Sequence, residues 1–187
     1  MTTEKRARLK RPMPGEPTGE DQIHQMIRVN QAGEYGAARI YAGQLAILGD
    51  SDDGPVLREM ADQEQKHLDT FNGMIVDRQV RPTVMTPLWH VAGYALGAAT
   101  AIMGREAAMA CTVAVEEVID EHYAEQAEAL GDREPDLKKT IEEFRAEEQE
   151  HRDTALANNA EAAPGYPLLT RAIKDISRTA IWLSKRV

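Results

Sequence analysis

Glu64-Gln-Lys-His67 recurs later in the chain as Glu148-Gln-Glu-His151, so that one Glu-x-x-His pattern occurs twice in 187 residues. On an α-helix, residues three positions apart lie on one face, which lets a Glu and a His bind the same cation. Each copy follows a lone glutamate by about thirty residues, Glu34 in the first half and Glu116 in the second. In each half, this spacing predicts one helix out, a short turn and one helix back.

The polar residues of these patterns fall where the predicted helices should be apolar. Steps of three and four residues along each segment trace an apolar stripe. All six candidate ligands lie on such stripes: Glu34, Glu64, His67, Glu116, Glu148 and His151. Buried together without a cation, four carboxylates and two imidazoles would lose hydration and repel one another. Two divalent metal ions are the simplest compensation, so the sequence predicts a two-metal site.

The predicted ligand set also indicates the fold. One Glu from each of two helices and Glu-x-x-His from each of two others is typical of ferritin-like di-iron and di-manganese bundles. Aromatic residues make up only 5% of the chain, which favours helices over strands. We predict an all-α, ferritin-like four-helix bundle, with a flexible basic tail at residues 1–20 and a single ferritin-like di-iron domain at residues 21–187.

Two further helices are expected beside the four that carry the ligands. Residues 88–104 contain no Asp, Glu, Lys or Arg, yet this stretch is too short and too weakly apolar to span a bilayer. It predicts an intervening apolar helix that is either a buried crossover or a segment lying in a membrane interface. Residues 166–187 predict a C-terminal amphipathic helix, with Leu169, Ile173 and Ile176 on one side and basic residues elsewhere.

Charge is unevenly distributed along the chain. The net charge is -9, yet residues 1–11 and residues 166–187 each carry five basic residues against one acidic residue. Basic ends and an amphipathic helix favour binding to an anionic membrane surface. The acidity of the whole chain and the lack of a recognisable base-reading motif argue against nucleic acid as a partner. Because the N-terminus has no secretory signal, we expect the protein on the cytoplasmic side.

The sequence also limits what else the chain carries. Its one cysteine, Cys111, excludes an internal disulfide and a Cys-x-x-Cys metal site. No glycine-rich phosphate loop follows a predicted strand, so no nucleotide-binding domain can be drawn. A redox reaction at the metal site would therefore need an external reductant.

Five longer strings surround the candidate ligands and are far more specific than Glu-x-x-His alone: Ile27-Arg-Val-Asn-Gln-Ala-Gly-Glu-Tyr-Gly-Ala37, Arg39-Ile-Tyr-Ala-Gly-Gln44, Arg81-Pro-Thr83, Pro87-Leu-Trp89 and Ala108-Met-Ala-Cys-Thr-Val-Ala-Val-Glu-Glu117. They resemble the demethoxyubiquinone hydroxylase family of ubiquinone biosynthesis. The resemblance runs from about residue 22 to the C-terminus and is in register at every candidate ligand.

The resemblance implies a di-iron monooxygenase, a 3-demethoxyubiquinol 3-hydroxylase, that uses O2 to hydroxylate the benzoquinol ring of a polyprenylated demethoxyubiquinol. It implies two iron ions bound by the six candidate ligands, with Glu64 and Glu148 as the bridging carboxylates. Tyr123 and His122 match family positions near the irons and are candidate catalytic residues, although a core tyrosine with a satisfied hydroxyl is an equal alternative for Tyr123.

The resemblance also implies a location and partners. The protein would lie peripherally at the cytoplasmic face of the inner membrane. NADH is a candidate electron donor, and a lipid-binding partner protein that presents the quinone is a candidate partner. Gly33 and Gly36, which flank Glu34, each cost about 1 kcal/mol in a helix interior, and they indicate either tight helix packing or room for the ring.

Two other functions are compatible with the residues alone. A ferritin-like ferroxidase or iron-handling protein would use the same six ligands, but it would not need an apolar helix at residues 88–104 or a basic amphipathic terminus. A metal-free structural bundle would leave the buried charges uncompensated. The quinol hydroxylase accounts for all of these features and is the principal hypothesis.

Overall fold

The part of the chain that the structure describes is built from helices. A computed structural model describes residues 19–187, which form six α-helices, one short 3-10 helix and no strand. The elements are α1 (Gly19–Leu48), α2 (Gly54–Asp77), α3 (Thr86–Met103), α4 (Arg105–Leu130), α5 (Pro135–Ala157), the 3-10 helix (Ala160–Ala162) and α6 (Tyr166–Ser184). The predicted all-α fold class is confirmed.

Prolines mark the starts of four helices. Pro55, Pro87, Pro135 and Pro167 each occupy the first or second helical position. There the missing N–H removes no hydrogen bond and the fixed φ angle favours the helical turn. α1 begins at Gly19, slightly before the expected start at residue 21. The predicted flexible tail, residues 1–20, lies outside the described residues except for its last two, and it stays a prediction.

The hairpins α1–α2 and α4–α5 build a four-helix bundle. Apolar side chains fill the bundle in two clusters. One cluster includes Ile27, Phe71 and Ile141, and the other includes Leu57 and Met109. Along α2 and α5 the predicted ligand positions lie between these two clusters, while on α1 and α4 residues of the first cluster lie on both sides of the glutamate. The bundle is therefore ferritin-like, as predicted, and its polar centre is closed off by apolar side chains on both sides.

α3 packs so closely on α1 that the two backbones are in contact. A Cβ atom on Gly97 would overlap the backbone carbonyl of Ile40, and a Cβ atom on Gly43 would overlap that of Tyr94. The opposite side of α3 carries exposed apolar residues: Leu88, Val91, Ile102 and Met103. One face of α3 is therefore buried in the protein, while the other is apolar and exposed, and a place in a membrane interface stays a prediction. None of the helices within residues 19–187 is long and apolar enough to cross a membrane.

α6 lies along α4 and is amphipathic, as predicted. Its Ile173 is buried, while other large apolar residues of the helix are exposed: Leu168, Ile176 and Trp182. Two of its basic side chains form ion pairs with carboxylates of α4, namely Lys174 with Glu117 and Arg178 with Glu121. The basic charge that the sequence assigns to this helix is therefore partly neutralised within the protein.

Replacing Gly97 by alanine tests the close approach of α1 and α3. We expect Gly97→Ala to lower the free energy of unfolding by about 1 to 3 kcal/mol, because the added methyl group forces the two helices apart. Gly73→Ala in α2 is the matched control, since a Cβ atom there meets no atom within 4 Å and alanine should stabilise the helix by about 1 kcal/mol. Urea unfolding followed by circular dichroism measures both. Equal midpoints for Gly97→Ala and the unsubstituted protein would contradict the close packing.

Candidate metal centre

The bundle brings all six predicted ligands together at its centre. One comes from α1, two from α2, one from α4 and two from α5: Glu34; Glu64 and His67; Glu116; Glu148 and His151. Each of them has at most 2% of its surface exposed. Their ligand atoms form two groups, each within 4.8 Å: Glu34, Glu64, His67 and Glu148, and Glu64, Glu116, Glu148 and His151. Glu64 and Glu148 belong to both groups, as bridging carboxylates would.

His67 directs one ring nitrogen into the cluster and the other away from it. Its Nδ1 lies 3.2 Å from Oε1 of Glu148 and 3.6 Å from Oε2 of Glu34. Its Nε2 lies 2.6 Å from Oε2 of Glu147. The ring stacks on Phe144, with the ring centres 4.0 Å apart. The stacking and the outer hydrogen bond hold Nδ1 toward the carboxylates, so Nδ1 is the atom available to a metal.

His151 repeats this geometry on the other side of the cluster. Its Nδ1 lies 3.0 Å from Oε1 of Glu64 and 3.2 Å from Oε2 of Glu148. Its Nε2 lies 2.6 Å from Oε1 of Gln63. Both histidines therefore offer Nδ1 to the cluster and fix their orientation through Nε2, which is the usual arrangement for metal-binding imidazoles.

Two buried tyrosines donate hydrogen bonds to the remaining glutamates. Tyr123 of α4 donates to Glu34 of α1, and Tyr41 of α1 donates to Oε1 of Glu116 at 3.1 Å. Each tyrosine thus orients the carboxylate that lies on the other helix. Each also follows the glutamate of its own helix by seven residues, which is two helical turns.

Three carboxylate oxygens of the cluster have no hydrogen-bond donor among the described residues: Oε2 of Glu34, Oε2 of Glu64 and Oε2 of Glu116. A buried polar atom without a partner costs about 1 to 3 kcal/mol, so these oxygens favour a cation. Carboxylate and imidazole ligands without a thiolate suit a metal that keeps open positions, rather than structural zinc. The residues of the cluster therefore fit a two-metal centre.

Protons compensate the charges of this cluster when no metal is bound. Burial, followed by the charge of Glu148, raises the pKa of Glu64 and Glu116 well above its usual range. Burial also raises the pKa of Glu148, but hydrogen bonds from His151 and His67 outweigh burial and hold it at about 2. Burial lowers the pKa of each imidazole, but hydrogen bonds to Glu148 and further carboxylates raise it to about 12 for His67 and about 9 for His151. A metal must displace these protons.

The two predicted catalytic residues are placed differently. Tyr123 contacts the cluster through Glu34. The buried His122 instead accepts a hydrogen bond from Gln126 at 2.6 Å, and Gln126 also exchanges hydrogen bonds with Asn30. Burial and the charge of Lys185 lower the pKa of His122 to about 3. Within this group His122 is a neutral acceptor, and the catalytic roles of both residues stay predictions.

Sequence reasoning did not identify three residues that contact the cluster, namely Tyr41, Gln63 and Glu147. Tyr41 had a signal, because it repeats the seven-residue spacing that separates Tyr123 from the glutamate of its own helix. Gln63 and Glu147 each precede the glutamate of a Glu-x-x-His pattern, but each contacts the histidine of the other pattern. A pattern within one helix does not reveal a contact between two helices.

An apolar cavity of about 270 Å³ lies between α1, α3, α4 and α6, and its lining includes Val115, the chain neighbour of Glu116, but none of the six ligands. Gly33 and Gly36 line it, and a Cβ atom on either would meet no atom within 4 Å. Of the two explanations for these glycines, the structure therefore favours room beside Glu34 over tight packing. Ile176 also lines the cavity and is 57% exposed, so the cavity reaches the protein surface at α6.

Metal binding at this centre should release protons and should become tighter as the pH rises. A bound metal would replace the protons on Nδ1 of His67 and His151, whose raised pKa values keep both imidazoles protonated in the metal-free protein. Calorimetric Co²⁺ titration of the metal-free chain in buffers of different ionisation enthalpy measures the proton count. Affinity that is the same at about pH 6 and about pH 8, with no proton release, would contradict the protonated resting state.

Comparison with known proteins places the chain in a family. The family model for "Ubiquinone biosynthesis protein COQ7" matches residues 21–184. A 3-demethoxyubiquinol 3-hydroxylase of Rhodospirillum rubrum is 55% identical over 176 residues, which are 94% of this chain and 83% of the relative. The human mitochondrial NADPH-dependent 3-demethoxyubiquinone 3-hydroxylase is 52% identical, over 88% of this chain and 78% of the relative. The mitochondrial 5-demethoxyubiquinone hydroxylase of Saccharomyces cerevisiae is 43% identical, with the same coverage. The chain belongs to the COQ7 family of ubiquinone biosynthesis proteins, the demethoxyubiquinone hydroxylases that its sequence resembles.

Proposed function

We propose that this protein is a 3-demethoxyubiquinol 3-hydroxylase that uses a di-iron centre and O2. The observation that carries this proposal is an apolar cavity whose lining includes Gly33 and Val115, the chain neighbours of Glu34 and Glu116 in the buried carboxylate and imidazole cluster. Its relatives at 52% and 55% identity are named as hydroxylases of demethoxyubiquinone or demethoxyubiquinol. A ferroxidase would need the cluster but has no use for the cavity.

The cavity suits the head group of a quinol with an apolar tail. Its walls are almost entirely apolar, and they include Ala32, Leu96, Val115 and Ile119. A volume of about 270 Å³ is close to the lower end of the range for small-molecule sites, which fits a substituted ring better than a whole polyprenyl chain. The tail would leave the cavity where Ile176 is exposed.

The cluster residues bind and orient what the reaction needs. Bound at the six ligands, two Fe(II) ions would supply the reducing centre at which O2 is activated. Tyr123 and Tyr41 hold the carboxylates of Glu34 and Glu116 through their hydroxyl groups. The two apolar clusters above and below keep bulk water from the centre, which protects a reactive oxygen species from side reactions.

The electrons must come from outside the chain. Hydroxylation places one atom of O2 on a ring carbon and releases the other as water, which consumes two electrons beyond those of the C–H bond. The described residues form no strand and so no nucleotide-binding sheet. NADH is the donor that the family resemblance implies, and the human relative is named as NADPH-dependent, so we propose a reduced nicotinamide as the external donor.

Turnover of a short-tailed demethoxyubiquinol tests the function. We expect the iron-loaded protein with O2 and NADH or NADPH to yield a product heavier by one oxygen atom, detected by mass spectrometry, with label incorporated from ¹⁸O2. Glu148→Ala removes a residue that belongs to both groups of candidate ligands, so iron binding at both positions and turnover should be lost. Glu143→Ala is the matched control on the exposed side of the same helix. Fully loaded protein that oxidises Fe(II) but forms no product would support the ferroxidase alternative instead.

We further propose that the surface around the cavity mouth binds the inner membrane peripherally, on its cytoplasmic face. Exposed apolar residues of α3 and α6 support this proposal, since both helices also line the cavity. Trp182 is 52% exposed, and the guanidinium of Arg186 lies over its ring at 4.0 Å. Tryptophan beside arginine suits the boundary between lipid head groups and acyl chains. A prenylated quinol would then reach the cavity without crossing water.

Sedimentation with lipid vesicles tests this surface. Two vesicle types are used, anionic vesicles that contain phosphatidylglycerol and neutral vesicles of phosphatidylcholine alone. Trp182→Ser should weaken binding to both types several-fold, because it removes an amphipathic side chain from the proposed interface. Val76→Ser is the matched control, since Val76 is 74% exposed on α2, which does not line the cavity. Deletion of residues 1–11 should weaken binding only to the anionic vesicles. Unchanged binding of Trp182→Ser to both vesicle types would refute the proposed interface.

A further inference from the structure

The Nε2 atoms of the two cluster histidines contact different kinds of side chain, one charged and one neutral. Nε2 of His67 lies 2.6 Å from a carboxylate oxygen of Glu147, and Nε2 of His151 lies 2.6 Å from the amide oxygen of Gln63. These partners occupy equivalent places, because each directly precedes the shared glutamate of its own helix. The pair therefore introduces a difference of one charge into an otherwise repeated arrangement.

We propose that Glu147 and Gln63 make the two metal positions unequal, so that the position bound by His67 holds a divalent cation more tightly than the position bound by His151. This inference rests on the proposed two-metal centre. It concerns residues that position the ligands and do not themselves bind the metal.

The physical basis is the outer hydrogen bond of each imidazole. When Nδ1 binds a metal, the ring proton lies on Nε2 and is donated outward, to Glu147 from His67 and to Gln63 from His151. A carboxylate attracts this proton more strongly than a neutral amide does, since charge-assisted hydrogen bonds are about twice as strong. Withdrawal of the proton moves electron density onto Nδ1, so His67 becomes the stronger ligand.

The glutamates do not set the two positions apart, and the two affinities are compared after allowance for the protons that His67 and His151 release. Each position has one glutamate of its own, Glu34 or Glu116, and each of these accepts a hydrogen bond from a tyrosine. Glu64 and Glu148 are common to both positions. Glu147 is 44% exposed on its side chain, so water weakens its effect, but the short contact to His67 keeps it directed at that ring.

Titration of the metal-free full-length chain with Co²⁺, against a competing chelator and with visible absorption as a second signal, tests the inequality. We expect two binding steps in the unsubstituted protein. Glu147→Gln should weaken the tighter step by about tenfold to a hundredfold, the usual effect of an outer partner of a metal-bound histidine. Gln63→Glu should strengthen the weaker step, and the double variant should exchange the order of the two positions.

Two single substitutions assign the steps to positions. Glu34 belongs only to the group with His67, and Glu116 belongs only to the group with His151. Glu34→Gln should therefore weaken the step that Glu147→Gln weakens, and Glu116→Gln should weaken the other. If Glu147→Gln weakens the step assigned by Glu116→Gln, the proposed direction of the inequality is wrong.

Glu143→Gln is the control for charge at a distance. Glu143 lies one turn before Glu147 on α5, is 59% exposed and pairs with Lys139 at 3.5 Å. The substitution Glu143→Gln removes the same charge as Glu147→Gln, but from a residue that does not contact His67. The metal affinities of both binding steps should therefore stay unchanged. The inference would be overturned if Glu143→Gln and Glu147→Gln weakened metal binding equally. It would also be overturned if neither Glu147→Gln nor Gln63→Glu changed the affinity of either binding step. Both outcomes would leave the two-metal centre intact. A chain that binds no metal would overturn both.

Discussion

Burial of four carboxylates with two imidazoles in the middle of a helical bundle is the constraint on which the rest of this structure depends. Such a cluster is stable only if protons or cations balance its charge, because desolvation opposes every ionised group in it. The apolar clusters on either side of it supply the stability that the polar centre does not. The tyrosines and the outer partners of the histidines fix the directions of the ligand atoms, so that the compensating charge has a defined place.

The sequence predicted this centre well because its signal lies within single helices. Residues three positions apart share a face, and a glutamate on an apolar stripe is conspicuous. Glu34 and Glu116 were therefore predictable without any knowledge of the pairing of helices. Gln63 and Glu147 were not, because each acts on a histidine of the other hairpin and nothing in its own helix marks that contact. The family resemblance, and not the spacing, predicted the substrate.

The features outside the bundle were predicted less completely, for a related reason. The composition of residues 88–104 indicated an apolar helix but did not show which face is covered, and that depends on the close contact of Gly97 with α1. Likewise, the basic residues of α6 favoured binding to an anionic membrane surface. Lys174 and Arg178 instead pair with α4, which leaves exposed apolar side chains as the more prominent feature of this helix. Contacts between distant segments decided both cases.

The crossed tyrosine contacts tie the two hairpins to each other. Tyr41 orients a glutamate of the second hairpin, and Tyr123 orients a glutamate of the first. Each hairpin also supplies one glutamate to the group of ligand atoms that lies mainly on the other hairpin. A lone hairpin therefore contains every type of residue that the centre needs, yet it completes no metal position by itself. The two hairpins complete both groups only when they pack against each other, so the six side chains come together late, with the tertiary structure of the bundle and not with either hairpin.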